Sequence, residues 1–390
     1  MLKTNQIIST QDLILVRHKE LGIEHKYLCS KFIEQAYLPS RFSDLLKEYQ
    51  LPQSLCFNPF YHAWIGKLRY LLTSDGFSAN LNTINWNETF TFLDSPDYNR
   101  FSILIFLEFL ALILLEDLES QNEKAYQVNT RINQQFYIPG YLILEKDIFV
   151  DTIVVSSGAI YFDNAEIELN LLKKEVRLGS FVIPLHSNLK FQCKDLPSII
   201  INDVDSIYSN SFLAALDLLD KFFLLDFDEL NLFSKYFFPI YSNNDSFYSG
   251  NDDYHLGLIY LPNITNHILI AECLIHELMH QKLNNVERIK EVILPCDPEK
   301  EGTYFSPWRD DPRPIRMVLH GLFVFTAIVE FWQNLIGSGV VEDKICKQNI
   351  ELRIRQNLQA IEVLKAEASF DSIGELIFEN LIAINSKHMS

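Results

Sequence analysis

The 390-residue sequence is poor in the residues that interrupt or crosslink a chain. It has 13 glycines, 14 prolines and 6 cysteines, and no two cysteines form a C-x-x-C pair. The low glycine and proline content argues against a disordered or fibrous protein. The scattered cysteines argue against a disulfide framework or a thiolate metal site. We therefore expect a cytoplasmic protein, because that compartment keeps thiols reduced.

Basic residues and long apolar runs are also scarce. Lys and Arg total 33 against 51 Asp and Glu, which gives a net charge of −18. Nucleic acids and anionic membranes attract basic surfaces, so we expect neither as a partner. The first ten residues lack the apolar segment of a secretory signal. The most apolar run, "ILIFLEFLALILL" at 103–115, contains Glu108 and is short for a bilayer span, which favours a buried helix.

The rest of the composition is that of an ordinary globular protein, with 48% hydrophobic and 22% charged residues. The chain has a helical pattern up to about residue 130. Short β-branched and aromatic stretches punctuated by Gly, Asn and Asp then predict strands from about residue 138. A helix is predicted over 209–237, and a polar loop at 241–255 precedes the strand-like "LGLIYLP".

These patterns predict an α+β fold with predominantly helical N- and C-terminal parts around a small, mostly antiparallel sheet. Two regions are expected: a helical region, 1–135, suited to recognising a substrate or leader segment, and an α+β catalytic domain, 136–390. Three further helices are predicted in the C-terminal part, at about 314–335, 341–367 and 372–384.

The run His276-Glu277-Leu278-Met279-His280 matches H-E-x-x-H. It lies in a predicted helix that begins after Asn266, a good N-cap residue, and extends toward Val292. Residues four apart share a helix face, so the two imidazoles can bind one divalent ion, with Glu277 beside it to act on bound water. Composition predicts at most about 0.03 such runs by chance. Histidines that are merely packed or solvated are the alternative.

The third metal ligand has two candidates in the sequence. Metzincins place Gly and His after the motif where Leu283 and Val286 stand here, so that class is excluded. Glu287 lies about 10 Å further along the helix than His280 and cannot share the ion unless the helix breaks. His320, in "MVLHGLFVF", and Glu330, in "VEFW", are about 15 Å apart along one predicted helix, so at most one of them ligates. A packed core histidine is the alternative for His320.

Three arginines precede His320 and are the candidates to bind a carboxylate co-substrate: Arg309, Arg313 and Arg316. Ion pairs with Asp310 and Asp311 in a solvated loop would explain Arg309 and Arg313. Arg316 is four residues before His320 and therefore on the same helix face, where a cation could hold a carboxylate beside the metal.

The segments "ECLIHELMHQKLNN" and "FSPWRDDPRPIRMVLHGLFVFTAIVEFW" resemble the HExxH-domain family of iron- and 2-oxoglutarate-dependent peptide β-hydroxylases, which modify ribosomally made peptides. The resemblance is strongest over 250–335 and extends more weakly toward residue 180. It implies that His276 and His280 bind Fe(II), with His320 as the third ligand. Glu277 would lie beside the iron, and Arg313 or Arg316 would hold 2-oxoglutarate.

The first functional hypothesis is therefore a hydroxylase that uses Fe(II), 2-oxoglutarate and O2 to oxidise the β-carbon of a residue in a precursor peptide. The loop 241–255 would form a lip of the peptide groove, with His255 as a loop histidine. Glu272, one turn before His276, either supports the metal site or is solvated. The alternatives are a zinc metallopeptidase with Glu277 as general base and Glu330 as third ligand, and a non-catalytic, metal-stabilised peptide-binding module.

Overall fold

A computed structural model describes the chain in several stretches. Residues 10–35, 249–251, 257–289, 291–294 and 302–387 are described without a break. Residues 40–68, 109–184 and 206–240 are described with short gaps. The described part is mostly helical and contains small sheets, as the α+β prediction requires.

The N-terminal part is helical, with α1 at Thr10–Gln35 and α2 at Ser40–Glu48. Residues 109–118 are also helical, and this apolar stretch is almost entirely buried. The described portion of the predicted apolar helix at 103–115 is therefore a core helix. Helix α1 packs against α2 and also reaches the helix that contains the H-E-x-x-H run.

The first sheet is antiparallel and has the strand order β1-β4-β5-β6. Its strands are β1 (Lys124–Ile132), β4 (Ile148–Ser156), β5 (Ala159–Phe162) and β6 (Ala165–Ile167). Strands therefore begin at Lys124 and not near residue 138, because "KAYQVNTRI" alternates apolar and polar side chains as a half-buried strand does. Since β1 pairs with β4, this sheet spans the expected division at residue 135. The division into two regions itself stays a prediction.

Two further sheets follow. One is a small antiparallel sheet of β2 (Tyr137–Ile138), β3 (Tyr141–Leu142) and β7 (Asn170–Leu171). The other has the order β11-β10-β9-β8 and consists of β8 (Glu175–Leu178), β9 (Phe181–Pro184), β10 (Ser234–Ile240) and β11 (Gly257–Pro262). In this sheet β8 pairs antiparallel with β9, whereas β10 is parallel to both of its neighbours.

Helix α3 covers Ser206–Phe223, so the helix predicted to extend to residue 237 is wrong in its last part. "SKYFFPI" forms strand β10 instead, where it pairs with a strand on each side. The polar side chain of Ser234 is buried there and donates a hydrogen bond of 2.8 Å to Gln281 on the motif helix.

The described residues of the C-terminal part form four helices: α4 (His267–Ile289), α5 (Ile315–Leu335), α6 (Asp343–Glu367) and α7 (Ser372–Lys387). Their bounds agree with the sequence prediction to within a few residues. Helix α5 is long and apolar enough to cross a membrane, but 72% of that apolar window is buried inside the protein. It packs against α4 and α6 and is the central helix of this part.

Candidate metal centre

Helices α4 and α5 form an antiparallel pair that positions the candidate site. Helix α4 begins where the Asn266 side-chain oxygen accepts hydrogen bonds from the backbone N–H groups of Ile268 (3.1 Å) and Leu269 (3.2 Å), as expected of an N-cap. One face of the helix is apolar and is buried in the core, and Leu283 and Val286 belong to that face. The two motif histidines lie on the remaining face, toward α5.

The imidazoles of His276 and His280 are brought together as predicted. Their Nε2 atoms are 3.2 Å apart, and the ring planes are inclined by 67°. An ion about 2.1 Å from both nitrogens would make an N–metal–N angle of about 100°, between the tetrahedral and octahedral values. The spacing therefore fits two ligands of one divalent ion.

Both rings are held in the state that binds a metal. Burial, and then the Arg353 cation, lower the pKa of His276 below its usual 6.5. Burial and the neighbouring His276, His320 and Arg316 lower the pKa of His280 further. Neutral imidazole is the form that ligates, so neither ring has to lose a proton near neutral pH. The His276 side chain is still 30% exposed, which leaves the site open on that side.

Glu277 lies beside the two imidazoles and is fixed by a short polar segment that precedes β11. Ser249 donates a hydrogen bond to its Oε1 (2.7 Å), and Asn251 donates one to its Oε2 (2.7 Å). Burial raises the pKa of Glu277 to about 7, against the opposing effect of these two donors. Its Oε1 is 3.9 Å from His276 Nε2. A carboxyl group so placed can exchange a proton with a molecule bound at the metal near neutral pH.

His320 joins the group, but from the far side of His280. Its Nδ1 is 3.1 Å from Nδ1 of His280, and the two rings stack with planes 18° apart. His276, in contrast, faces Nε2 of His280. In this arrangement His320 does not face the point that the two Nε2 atoms share, and its own Nε2 contacts Glu287 at 2.8 Å.

Glu330 lies further along α5. The helix pair places Phe325 beside His276, with ring centroids 5.5 Å apart, and Glu330 is about 7 Å beyond Phe325 along the axis. Within the described residues, no three His, Cys, Asp or Glu side chains form a group suited to hold one ion. The third ligand therefore stays a prediction.

The three predicted arginines are engaged with carboxylates. Arg309 Nε is 2.9 Å from Asp311, and Arg313 Nε is 3.0 Å from the same carboxylate. Arg316 Nη2 is 2.5 Å from Glu287, and it donates a hydrogen bond of 2.7 Å to Asn284. The solvated ion-pair interpretation therefore describes the contacts of Arg309 and Arg313 with Asp311.

Arg353 on α6 is a cation near the motif histidines that the sequence does not predict. Its guanidinium carbon lies 4.6 Å above the centre of the Phe325 ring, and that ring also contacts His276. Its Nη2 is 3.6 Å from Glu272, so the two charges are near each other without a close hydrogen bond. The only signal in the sequence is an arginine on a polar helix, and only the packing of α6 on α5 gives it significance.

The Glu272 carboxylate lies next to this arginine and is mostly shielded from solvent. Its Oε2 accepts a hydrogen bond of 3.2 Å from the indole of Trp332. Burial raises its pKa, against the opposing effects of Arg353 and Trp332. The solvated alternative for Glu272 is therefore wrong, and its partners lie on the Arg353 side of the site.

Trp308 and Phe325 form an aromatic wall between α5 and α6, and two hydrogen-bond donors beside it have no partner among the described residues. Trp308 stacks on Phe325 with ring centroids 5.0 Å apart. Only glycine fits at position 321 beneath that indole, because a Cβ there would lie 2.4 Å from Trp308 Cζ3. Trp308 Nε1 and Arg353 Nε are both buried and have no hydrogen-bond partner among the described residues. Two such donors beside one ring suit an acceptor that the protein does not itself supply.

Some predicted features lie outside the described residues. They include His255 and most of the loop 241–255, of which 249–251 are described, and also His388.

No protein-family model and no curated protein sequence matches the chain. The functional proposal therefore rests on the residues of the site and on the resemblance of its motifs.

Proposed function

We propose that the chain is an Fe(II)- and 2-oxoglutarate-dependent hydroxylase that oxidises the β-carbon of a residue in a peptide. The observation that carries the proposal is the position of Arg353. A guanidinium whose Nε is buried and has no partner among the described residues lies over the Phe325 ring, which His276 also contacts. An arginine with an unused donor beside a metal site is suited to binding a ligand that carries a carboxylate.

His276 and His280 would hold the iron through their Nε2 atoms. Few protein ligands leave several coordination positions open, which non-haem iron oxygenases require for the co-substrate and O2. When bound, iron and 2-oxoglutarate supply the oxidation of an unactivated C–H bond: 2-oxoglutarate, O2 and the peptide give succinate, CO2 and the hydroxylated peptide. The protein's own task is to hold and orient these reactants.

Arg353 would bind a carboxylate of 2-oxoglutarate, a role that the sequence assigned to Arg313 or Arg316. Glu272 lies 3.6 Å from the guanidinium and Gln356 accepts a hydrogen bond of 3.1 Å from its Nη1, which leaves the Nε without a partner among the described residues. The indole N–H of Trp308 offers a second donor on the same aromatic wall. Phe325 contacts both the cation and His276. A carboxylate bound there would gain charge-assisted hydrogen bonds.

Glu277 favours a second candidate, the zinc metallopeptidase. Its pKa of about 7 and its distance of 3.9 Å from His276 Nε2 suit a general base acting on metal-bound water. A hydroxylase uses the same residue differently, as an acceptor that orients the groups around the metal. The peptidase does not use the Arg353 Nε, which has no partner among the described residues, and for this reason we favour the hydroxylase.

One assay separates the candidates. The protein is incubated aerobically with Fe(II), 2-oxoglutarate and a peptide library, and succinate and peptide masses are measured. The hydroxylase forms succinate, and a peptide gains one oxygen atom, about 16 Da. Cleavage of peptides that zinc restores and 2-oxoglutarate does not affect would establish the peptidase. Metal binding without either product would leave the peptide-binding module.

A further inference from the structure

A continuous row of polar contacts leads away from the metal centre into the α4–α5 interface. His280 Nδ1 is 3.1 Å from His320 Nδ1, and His320 Nε2 is 2.8 Å from Oε2 of Glu287. Arg316 closes the row, with its Nε 2.7 Å from the same Glu287 oxygen. His280 Nε2, at the other end, faces His276.

The chemistry of each group fixes the direction of these hydrogen bonds. An ionised carboxylate only accepts, so the Nε2–H of His320 donates to Glu287. The Nδ1 of a neutral His320 then carries a lone pair and accepts from the Nδ1–H of His280. A neutral His280 with its proton on Nδ1 has a free lone pair on Nε2. That lone pair is directed to the side where His276 Nε2 lies.

Glu287 is held as an anion by its other neighbours. Arg316 contacts its Oε2 through two nitrogens, at 2.7 Å from Nε and 2.5 Å from Nη2. Asn284 accepts a hydrogen bond of 2.7 Å from the same guanidinium and so fixes its orientation. The carboxylate is nearly enclosed, with 10% of its side chain exposed. A charged hydrogen bond in such a place is stronger than one in water.

The row is built entirely into two helices. His280, Asn284 and Glu287 are four and three residues apart on α4, and Arg316 and His320 are four apart on α5, so each set shares one face. No loop has to close to complete it. His320 is 1% exposed, and its two nitrogens are both engaged, which leaves it no nitrogen for a metal bound between His276 and His280.

We propose that Glu287 and His320 are positioning residues, which act in series to fix the tautomer and the ring orientation of His280 so that its Nε2 is presented to the metal. The inference rests on the metal centre of the proposed function, but not on the reaction that occurs there. It also replaces the predicted role of His320: the residue supports a ligand instead of being one.

Two substitutions at His320 separate these roles. In His320→Gln the amide N–H can donate to Glu287 while its carbonyl accepts from His280, so the direction of the row is kept. In His320→Leu the row is broken. We expect Co(II) affinity to stay within about threefold of wild type in the glutamine variant and to fall about 10- to 100-fold in the leucine variant. Equal losses in both would overturn the proposal and restore His320 as a ligand.

A third variant tests the carboxylate. In Glu287→Gln the amide can donate a hydrogen bond to His320, which reverses the direction of the hydrogen bonds between His320 and His280. We expect the same 10- to 100-fold loss of Co(II) affinity. Glu291→Gln removes the same charge from an exposed position just beyond the end of α4 and is the matched control. Unchanged Co(II) affinity in Glu287→Gln would contradict the proposal, provided that thermal unfolding shows each variant to be folded.

A measurement on the metal-free protein tests the positioning role of Glu287 and His320 without relying on the proposed reaction. Nitrogen-15 NMR of the metal-free protein reports which ring nitrogen of His280 carries the proton. We expect the Nδ1–H form in wild type and in His320→Gln, and a mixture or the Nε2–H form in Glu287→Gln. The Nε2–H form in wild type would overturn the positioning role. A protein with this tautomer that binds Co(II) but forms no succinate would contradict the hydroxylase alone.

Discussion

His25 in the N-terminal helices and the histidines of α4 and α5 are all packed against other rings, but their polar partners differ in kind. His25 is surrounded by the rings of Tyr49, Tyr61, Trp64 and Phe109, at centroid distances of 5.4 to 6.1 Å. Its polar contacts are the Tyr61 hydroxyl at 3.1 Å and the Cys29 thiol at 3.6 Å. In the C-terminal group each imidazole contacts another imidazole or a carboxylate.

This difference distinguishes a core histidine from a site. A Cys–His pair such as Cys29 and His25 could suggest a nucleophile, but burial raises the pKa of Cys29 to about 12, so the thiol stays protonated. No carboxylate orients His25 within the described residues, and its neighbours are apolar faces. The C-terminal group has a carboxylate on each side, and beside it lie buried donors with no partner in the described part of the chain. Convergence of ionisable groups, more than burial, identifies the site.

The largest expected difference between the two clusters is in metal affinity. His276→Ala and His280→Ala each remove one of the predicted metal ligands, so we expect Fe(II) or Co(II) affinity to fall by more than about 100-fold. The control variant His25→Leu removes a buried imidazole from the other cluster and should bind metal as wild type does. Calorimetric titration measures all three. A large loss of affinity in His25→Leu, with the protein folded, would mean that the two clusters are not functionally distinct.

A smaller effect is expected at the carboxylate-binding arginine. Arg353→Met removes the cation on the Phe325 ring and keeps an apolar side chain of similar length. We expect the apparent affinity for 2-oxoglutarate to fall about 10- to 100-fold, since a charge-assisted hydrogen bond contributes about 1.5–3 kcal/mol. Binding of Fe(II) should change little.

The control for that prediction is Arg309→Met. Arg309 is 57% exposed and pairs with Asp311, so its loss should leave 2-oxoglutarate affinity unchanged. If Arg309, Arg313 or Arg316 variants lose the co-substrate while Arg353→Met retains it, the arginines predicted from the sequence are the true clamp.

The smallest predicted effect concerns His25 and the pH dependence of stability. Burial, and then Lys26, lower the pKa of His25 from 6.5 to about 4. The unfolded chain therefore takes up the proton first, so the free energy of unfolding is highest above pH 6.5 and falls as pH drops toward 4. Between pH 7 and pH 5 the loss from this one group is about 2 kcal/mol.

Urea unfolding in EDTA at pH 7 and pH 5 measures that loss. In His25→Leu the decrease in stability between the two pH values should be smaller than in wild type by about this amount. An identical decrease in both proteins would show that His25 is protonated in the folded state, contrary to its aromatic surroundings.

Local signals made much of the fold predictable. Asn266 and Pro314 mark the starts of α4 and α5 because a side-chain cap and a fixed φ act on their own immediate neighbours. Strand β10 was not predictable from its own letters, since a continuous apolar run suits a buried helix or a buried strand equally. Its partners on both sides decide the outcome.

In the candidate site, too, contacts local in sequence were predictable and contacts between distant segments were not. Spacing on one helix predicts that His276 and His280 meet, and the structure brings their Nε2 atoms to 3.2 Å. Arg353 and Glu287 acquire their roles only through contacts between helices that are distant in the sequence. Spacing alone showed that Glu287 could not share the ion with His280, and the unbroken helix α4 agrees. It could not show that His320 lies between them.

The most direct test of the iron-binding pair and its neighbouring arginine is an anaerobic titration followed by visible absorption. Fe(II) is added to the metal-free protein, and then 2-oxoglutarate. We expect a charge-transfer band that needs both additions, is absent from His280→Ala and requires much more 2-oxoglutarate in Arg353→Met. A band that survives in His280→Ala, or none in a wild-type protein that binds zinc tightly and cleaves peptides, would contradict the proposed iron centre.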